Sequence, residues 1–174
     1  MTQSVDDMLA RAAHARSIRS IAYGLGKGGR DPDAASPADR DGRLDCSGLT
    51  CWLHRLDRRQ VVDGEEVWLG TGGIIADATG KRRWYEEVDR PELGALLVYA
   101  ADKKGGRPYG HVGMVTGGLP AEWDPKVPAR WKALEVTDCH GPNGRRPGVM
   151  LVSGTGWGRH WGQRNGTIIV RRVG

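Results

Sequence analysis

The segment L-D-C-S-G-L-T-C-W, Leu44 to Trp52, decides how the rest of this chain is read. Asp45 precedes a cysteine, and the small residues Ser47 and Gly48 follow it. An aspartate at an N-cap accepts hydrogen bonds from the free N–H groups of a helix's first turn, so the spacing predicts a helix over 45–56. A cysteine in that turn lies at the positive end of the helix dipole, which favours thiolate over thiol. Small neighbours let a substrate approach closely. These features suit covalent catalysis by Cys46, which also requires a general base and an oxyanion site.

Five histidines compete for the role of base. His54 is eight residues on, about 12 Å away along a helix, and too far to take the thiol proton. His14 belongs to the polar side of an N-terminal helix, and His160 to a glycine-rich loop. His111 opens G-H-V-G-M-V after a glycine-rich turn, where a strand mouth can present the imidazole to a cleft. His140 ends the next predicted strand in T-D-C-H-G. Antiparallel pairing would set it beside His111, where it could orient that ring. Asp138 and Asn143 are alternatives for this third position. Cys51 lies about 140° around the helix from Cys46, so the two cannot easily share a metal, and the spacing matches no closed zinc pattern. Cys51 and Cys139 read as small buried hydrophobes.

Working outward, Ser4 caps an amphipathic helix that fills 1–22, with Asp7 completing a capping box and Val5, Met8, Leu9, Ala12 and Ile21 as its apolar stripe. Residues 23–43 form a glycine- and aspartate-rich loop. It lacks the GxxxxGK-Ser/Thr pattern and a preceding strand, so a phosphate-loop role is excluded. The segment T-G-G-I-I-A-D-A opens a short helix. Strands follow at 94–100, 111–116, 133–140, 149–153 and 167–173. Helices first and strands afterwards indicate a segregated α+β fold, with helices packed on an antiparallel sheet of five or six strands spanning 94–173. The 174 residues fit a single domain.

Twenty-seven glycines and nine prolines fit a turn-rich α+β chain, and seven tryptophans supply aromatic bulk where phenylalanine is absent. The net charge of +5 suits an anionic partner. The basic residues are scattered, without the stripe and interleaved aromatics of a nucleic-acid binder. No run approaches the roughly 20 apolar residues of a membrane span. The N-terminus lacks the regions of a signal peptide, so synthesis in a reducing cytoplasm is expected.

In order along the chain, Y-G-L-G-K-G-G, D-C-S-G-L-T-C-W-L, G-A-L-L-V-Y and G-H-V-G-M-V resemble the NlpC/P-sixty family of papain-like cysteine peptidases. The likeness covers roughly residues 20–173. It implies Cys46 as nucleophile, His111 as general base and His140 as the residue that orients it. It also implies a cleft with Tyr23 near the oxyanion and with Asp45 and Ser47 as support. Where the family has Gly–Asp after a proline, this chain has Gly94–Ala95.

Family members mostly cut amide bonds in the peptide part of peptidoglycan without metal or cofactor. The segments W-L-G-T-G-G-I-I-A-D-A and R-R-W-Y-E-E-V-D-R-P look like bacteriophage lysin or virion-associated versions, acting as monomers at the cell wall after release or delivery. An N-acetylmuramoyl-L-alanine amidase or effector amidase with the same site is an alternative. So is a catalytically silent wall-binding or virion module.

Overall fold

The computed structural model describes residues 3–140, 148–152, 161 and 166–174. The first helix, α1, runs Val5–Ser17, where Ser4 Oγ accepts the Asp7 N–H at 3.1 Å. The cap is therefore as expected. The Asp7 carboxylate, however, takes the Gln3 amide and the Arg55 guanidinium. Met8, Ala12 and Ala15, spaced by one and two turns, are the helix's buried face, while Val5 is exposed.

The helix stops five residues short of the expected Ala22. Ile18 leaves helical geometry with its N–H on Ala15 O. Residues Ala22–Tyr23 (β1) instead pair in parallel with Arg43–Leu44 (β2). Bonds from Ala22 N–H to Gly42 O and from Gly24 N–H to Leu44 O satisfy backbone groups that a longer helix would have used. Ile21 is buried from this extended segment, not from the helical stripe.

Helix α2, Cys46–Leu53, follows directly, shorter than the expected 45–56, and all eight of its residues are buried. Beyond it, Arg59–Val62 (β3) and Glu65–Trp68 (β4) form a two-stranded hairpin separate from the main sheet. Its turn, Asp63–Gly64, has positive φ at both residues, the geometry for which Asp-Gly is favoured. The expected short helix is α3, Thr71–Ala76, continued by a π-helical turn over Asp77–Lys81.

The six-stranded antiparallel sheet uses Tyr85–Glu87 (β5), Leu96–Tyr99 (β6), His111–Gly117 (β7), Glu135–His140 (β8), Gly148–Val152 (β9) and Ile168–Arg172 (β10). Their order is β5-β10-β6-β7-β8-β9. Five of these strands lie at the expected places. The short edge strand β5 and helix α4, Pro128–Ala133, are additions. The sheet is buried on both faces. Leu96, Val98, Val112 and Met114 meet α1 and α2, while Leu97, Tyr99, Val115 and Val136 meet Trp131, Leu134 and Trp161. This alternation follows from the period of two along each strand. Helix α2 packs on β7 and β8, which puts its first turn against the strands that carry His111 and His140.

Candidate active site

Asp45 builds the start of α2. Its Oδ1 accepts the Gly48 N–H at 2.8 Å and the Ser47 hydroxyl at 3.1 Å. Gly48 is required by close packing, because a Cβ there would lie 2.4 Å from Lys27 O. The loop after β1 thus presses its backbone onto the nucleophile turn. Asp45 N–H to Lys27 O fastens the two together. As the first helical residue, Cys46 has an N–H with no intrahelical acceptor.

His111 stands at the mouth of β7, hydrogen-bonded to Cys46. Its Nε2 donates to Asp138 Oδ2 at 2.9 Å, which leaves Nδ1 for the sulfur. Burial alone would push the imidazole's pKa down. The Cys46 sulfur and the Asp138 carboxylate more than reverse this and raise it to about 10. Asp138 is fully buried on β8, opposite Gly113.

His140 comes to the same cluster, but its ring lies over His111 at 5.2 Å between centroids, and its Nε2 is 3.3 Å from Asp138 Oδ1. Its pKa is lowered, first by burial. Among the described residues, the acceptor facing His111 Nε2 is therefore Asp138 Oδ2. The reason is the pleat. The register that pairs Gly113 with Asp138 sets His140 abreast of His111, face to face, while the Asp138 side chain reaches diagonally to the ring edge. Trp161, also fully buried, stacks on His111 at 5.3 Å and 12°.

Cys46 lies in a cleft of about 300 Å³ whose walls include Tyr23, Asp45, Ser47, Arg58, Trp68 and Tyr109. Tyr23 reaches it because β1 pairs beside Leu44. Its hydroxyl pKa is raised by burial first and by Cys46 and Asp45 next. All six expected site residues thus fall in one place: Cys46, His111 and His140 with Tyr23, Asp45 and Ser47.

The other histidines and cysteines stay away from the cleft. His54 is buried, with Nε2 3.0 Å from Gly94 O, and burial followed by the Arg172 charge lowers its pKa to about 3. His14 is exposed beside Ala35 O. Cys51 and Cys139 are fully buried, with thiols bonded to Leu69 O and Leu44 O. Ala95, at the position of the family aspartate, is a buried methyl in the second core cluster. Asn143 and His160 lie outside the described residues.

Arg58 and Trp68 are the site residues that sequence reasoning missed. Arg58 Nη2 donates to Asp45 Oδ2 at 2.8 Å and to Ser47 Oγ at 2.7 Å, and Nη1 donates to Lys27 O. Its guanidinium lies 4.5 Å from the Trp68 ring centroid. No local motif marks Arg58. The one available signal was the Asp63-Gly64 hairpin, which turns Trp68 back over it. Among the described residues His111, Asp138 and His140 also form a group that could hold a metal ion, with ligand atoms within 4.8 Å of one another. No helix among them is long and apolar enough to cross a membrane.

Neither a protein-family model nor a curated protein matches the sequence. A solved structure, the crystal structure of Ly7917 with the hydrolyzing product of MDP, is similar at 13% identity and a TM-score of 0.39, covering 99% of this chain. This chain spans 64% of that protein's length. A likeness this partial carries neither fold family nor activity across.

Proposed function

We propose that the chain is a cysteine amide hydrolase that works through an acyl-enzyme on the peptide part of peptidoglycan. The observation that carries this reading is the contact between Cys46 and His111 at the start of a capped helix, with the far nitrogen of His111 held by a buried carboxylate. A raised imidazole pKa beside a thiol favours the thiolate–imidazolium pair, which is the reactive form of such a nucleophile.

In the first step the Cys46 sulfur attacks the amide carbonyl. The oxyanion develops where the free N–H of Cys46 and the Tyr23 hydroxyl can donate to it. His111 then gives its proton to the departing nitrogen, and the C–N bond breaks to leave a thioester. Water attacks the thioester, with His111 now accepting the proton, and the thiolate returns as the acid leaves. Asp138 keeps the imidazole oriented and balances its charge. His140 and Trp161 stack on the ring and help to hold it. The whole chain acts as one catalytic unit.

The substrate class rests on the D-C-S-G and G-H-V-G-M-V resemblance and on the net charge of +5, which suits an anionic wall polymer. The segments W-L-G-T-G-G-I-I-A-D-A and R-R-W-Y-E-E-V-D-R-P support a phage-type enzyme acting at the wall. Digestion of purified peptidoglycans of different stem chemistry, with product masses read out, tests the assignment and identifies the bond cut. Cys46→Ala should abolish product release while leaving the circular dichroism spectrum unchanged. Full release by that variant would overturn the mechanism.

A further inference from the structure

Two paired strands bring three donor groups together beside the nucleophile. Asp138 and His140 are two residues apart on β8, so their side chains leave the same face of the sheet. The Asp138 carboxylate lies between two imidazoles, with Oδ2 2.9 Å from His111 Nε2 and Oδ1 3.3 Å from His140 Nε2. The donor atoms of the three residues all lie within 4.8 Å of one another. Around a zinc ion with bonds of about 2.1 Å, tetrahedral neighbours are about 3.4 Å apart. An ion therefore has to draw the donors in by no more than about 1.5 Å. The two rings stand 5.2 Å apart and 28° from parallel. Rotation about their side-chain torsions closes the gap while the pairing of β7 with β8 stays as it is.

Two imidazoles and one carboxylate suit zinc and its first-row neighbours, whereas magnesium and calcium take oxygen shells. A doubly charged ion also balances the charge of a fully buried carboxylate. Cys46 stands outside this donor set, because its sulfur meets the opposite, Nδ1 side of the His111 ring. Three protein donors leave a fourth position to water. We propose that His111, Asp138 and His140 form a binding site for one zinc-class ion, which holds the enzyme inactive while it is bound. The ion and the proton on His111 Nε2 compete for one lone pair. Metal capture expels that proton to solvent and leaves the ring with one, so the doubly protonated imidazole that expels the leaving nitrogen does not form. The inhibitory half of the proposal rests on the hydrolase reading above; the binding half does not.

Cobalt and zinc binding to the full chain tests the site without turnover. Cobalt(II) should develop a saturable visible absorption at one ion per chain, and zinc should bleach it. Magnesium and calcium at millimolar concentration should do neither. Absence of a saturable band, or a band that zinc leaves unchanged, overturns the proposal. His140→Ala should weaken zinc binding at least about tenfold, since losing even a group that only orients a metal ligand costs that much. Asp138→Asn takes its place if the alanine variant fails to fold. Unchanged affinity in the folded variant overturns the assigned ligands. Cys46→Ala should keep the zinc affinity within about threefold; a larger loss moves the ion to the thiol–imidazole pair and overturns the site. Zinc that saturates the site without slowing release from peptidoglycan overturns the inhibitory half. If the ion binds as expected while metal-free protein releases nothing from peptidoglycan, the hydrolase reading fails and the metal site stands.

Discussion

Asp138→Asn removes one charge from the buried cluster and nearly nothing else. The carboxylate sits 2.9 Å from His111 Nε2. Opposite charges about 4 Å apart interact by about 4 kcal/mol at an effective dielectric of about 20. One pKa unit corresponds to about 1.4 kcal/mol, so the charge is worth at most about three units on His111. An asparagine oxygen still accepts the Nε2 hydrogen bond and keeps part of that effect, which leaves a shift of about two units.

With the wild-type imidazole near pH 10, the alkaline limb of kcat/KM should move from about 10 to about 8 in the variant. The assay is the pH profile of hydrolysis of a soluble stem-peptide amide, run beside iodoacetamide labelling of Cys46. Loss of the His111 proton removes the acid that expels the leaving nitrogen, so activity falls as pH rises through the limb. A limb that stays near 10 in Asp138→Asn would refute the assignment. If His140→Ala moved the limb while Asp138→Asn did not, the orienting role would pass to His140.

His54 makes native stability acid-sensitive. Its folded pKa near 3 lies below the ordinary 6.5, so the unfolded chain takes up this proton first as pH falls. The contribution is full above about pH 6.5 and declines toward pH 3 by up to about 1.4 kcal/mol per pH unit; urea melts of His54→Leu should show a flatter slope over that window than wild type. Gly48→Ala forces the Lys27 carbonyl away from the nucleophile turn and should destabilise the fold by about 1–3 kcal/mol, with activity lost in parallel in melts and turnover assays. Zinc ions should inhibit hydrolysis by capturing the nitrogen and oxygen atoms of His111, Asp138 and His140; EDTA should restore the rate, and Asp138→Asn should need more zinc for half-inhibition.

Local chemistry made the two anchors of the site readable from the chain. Asp45 and Gly48 around Cys46 announce a capped, closely packed helix start, and G-H-V-G-M-V announces a strand with a polar mouth. What escaped depended on tertiary geometry. That Asp138 accepts from His111 Nε2 while His140 stacks on the ring turns on a diagonal reach across a pleated pair, and spacing along one strand does not encode that. Arg58 looked like one more scattered basic residue, because its partners Lys27 and Asp45 are thirty-one and thirteen positions away. The early end of α1 likewise reflects competition from a parallel pairing with residues twenty-one positions downstream. The Asp63-Gly64 turn, by contrast, was a local signal in plain view.

The hairpin that follows α2 has a consequence for how such a protein can diversify. Its strands hydrogen-bond to each other and belong to no other sheet, and none of the residues in β3 or β4 is buried. Yet its last residue, Trp68, forms one bank of the cleft. Replacement of residues 60–67 therefore leaves the nucleophile turn, the imidazole and the six-stranded sheet untouched while reshaping what the cleft admits. The shape of the cleft mouth and the folding of the core are carried by different parts of the chain, so the one can be altered by exchanging a peripheral flap without re-solving the other.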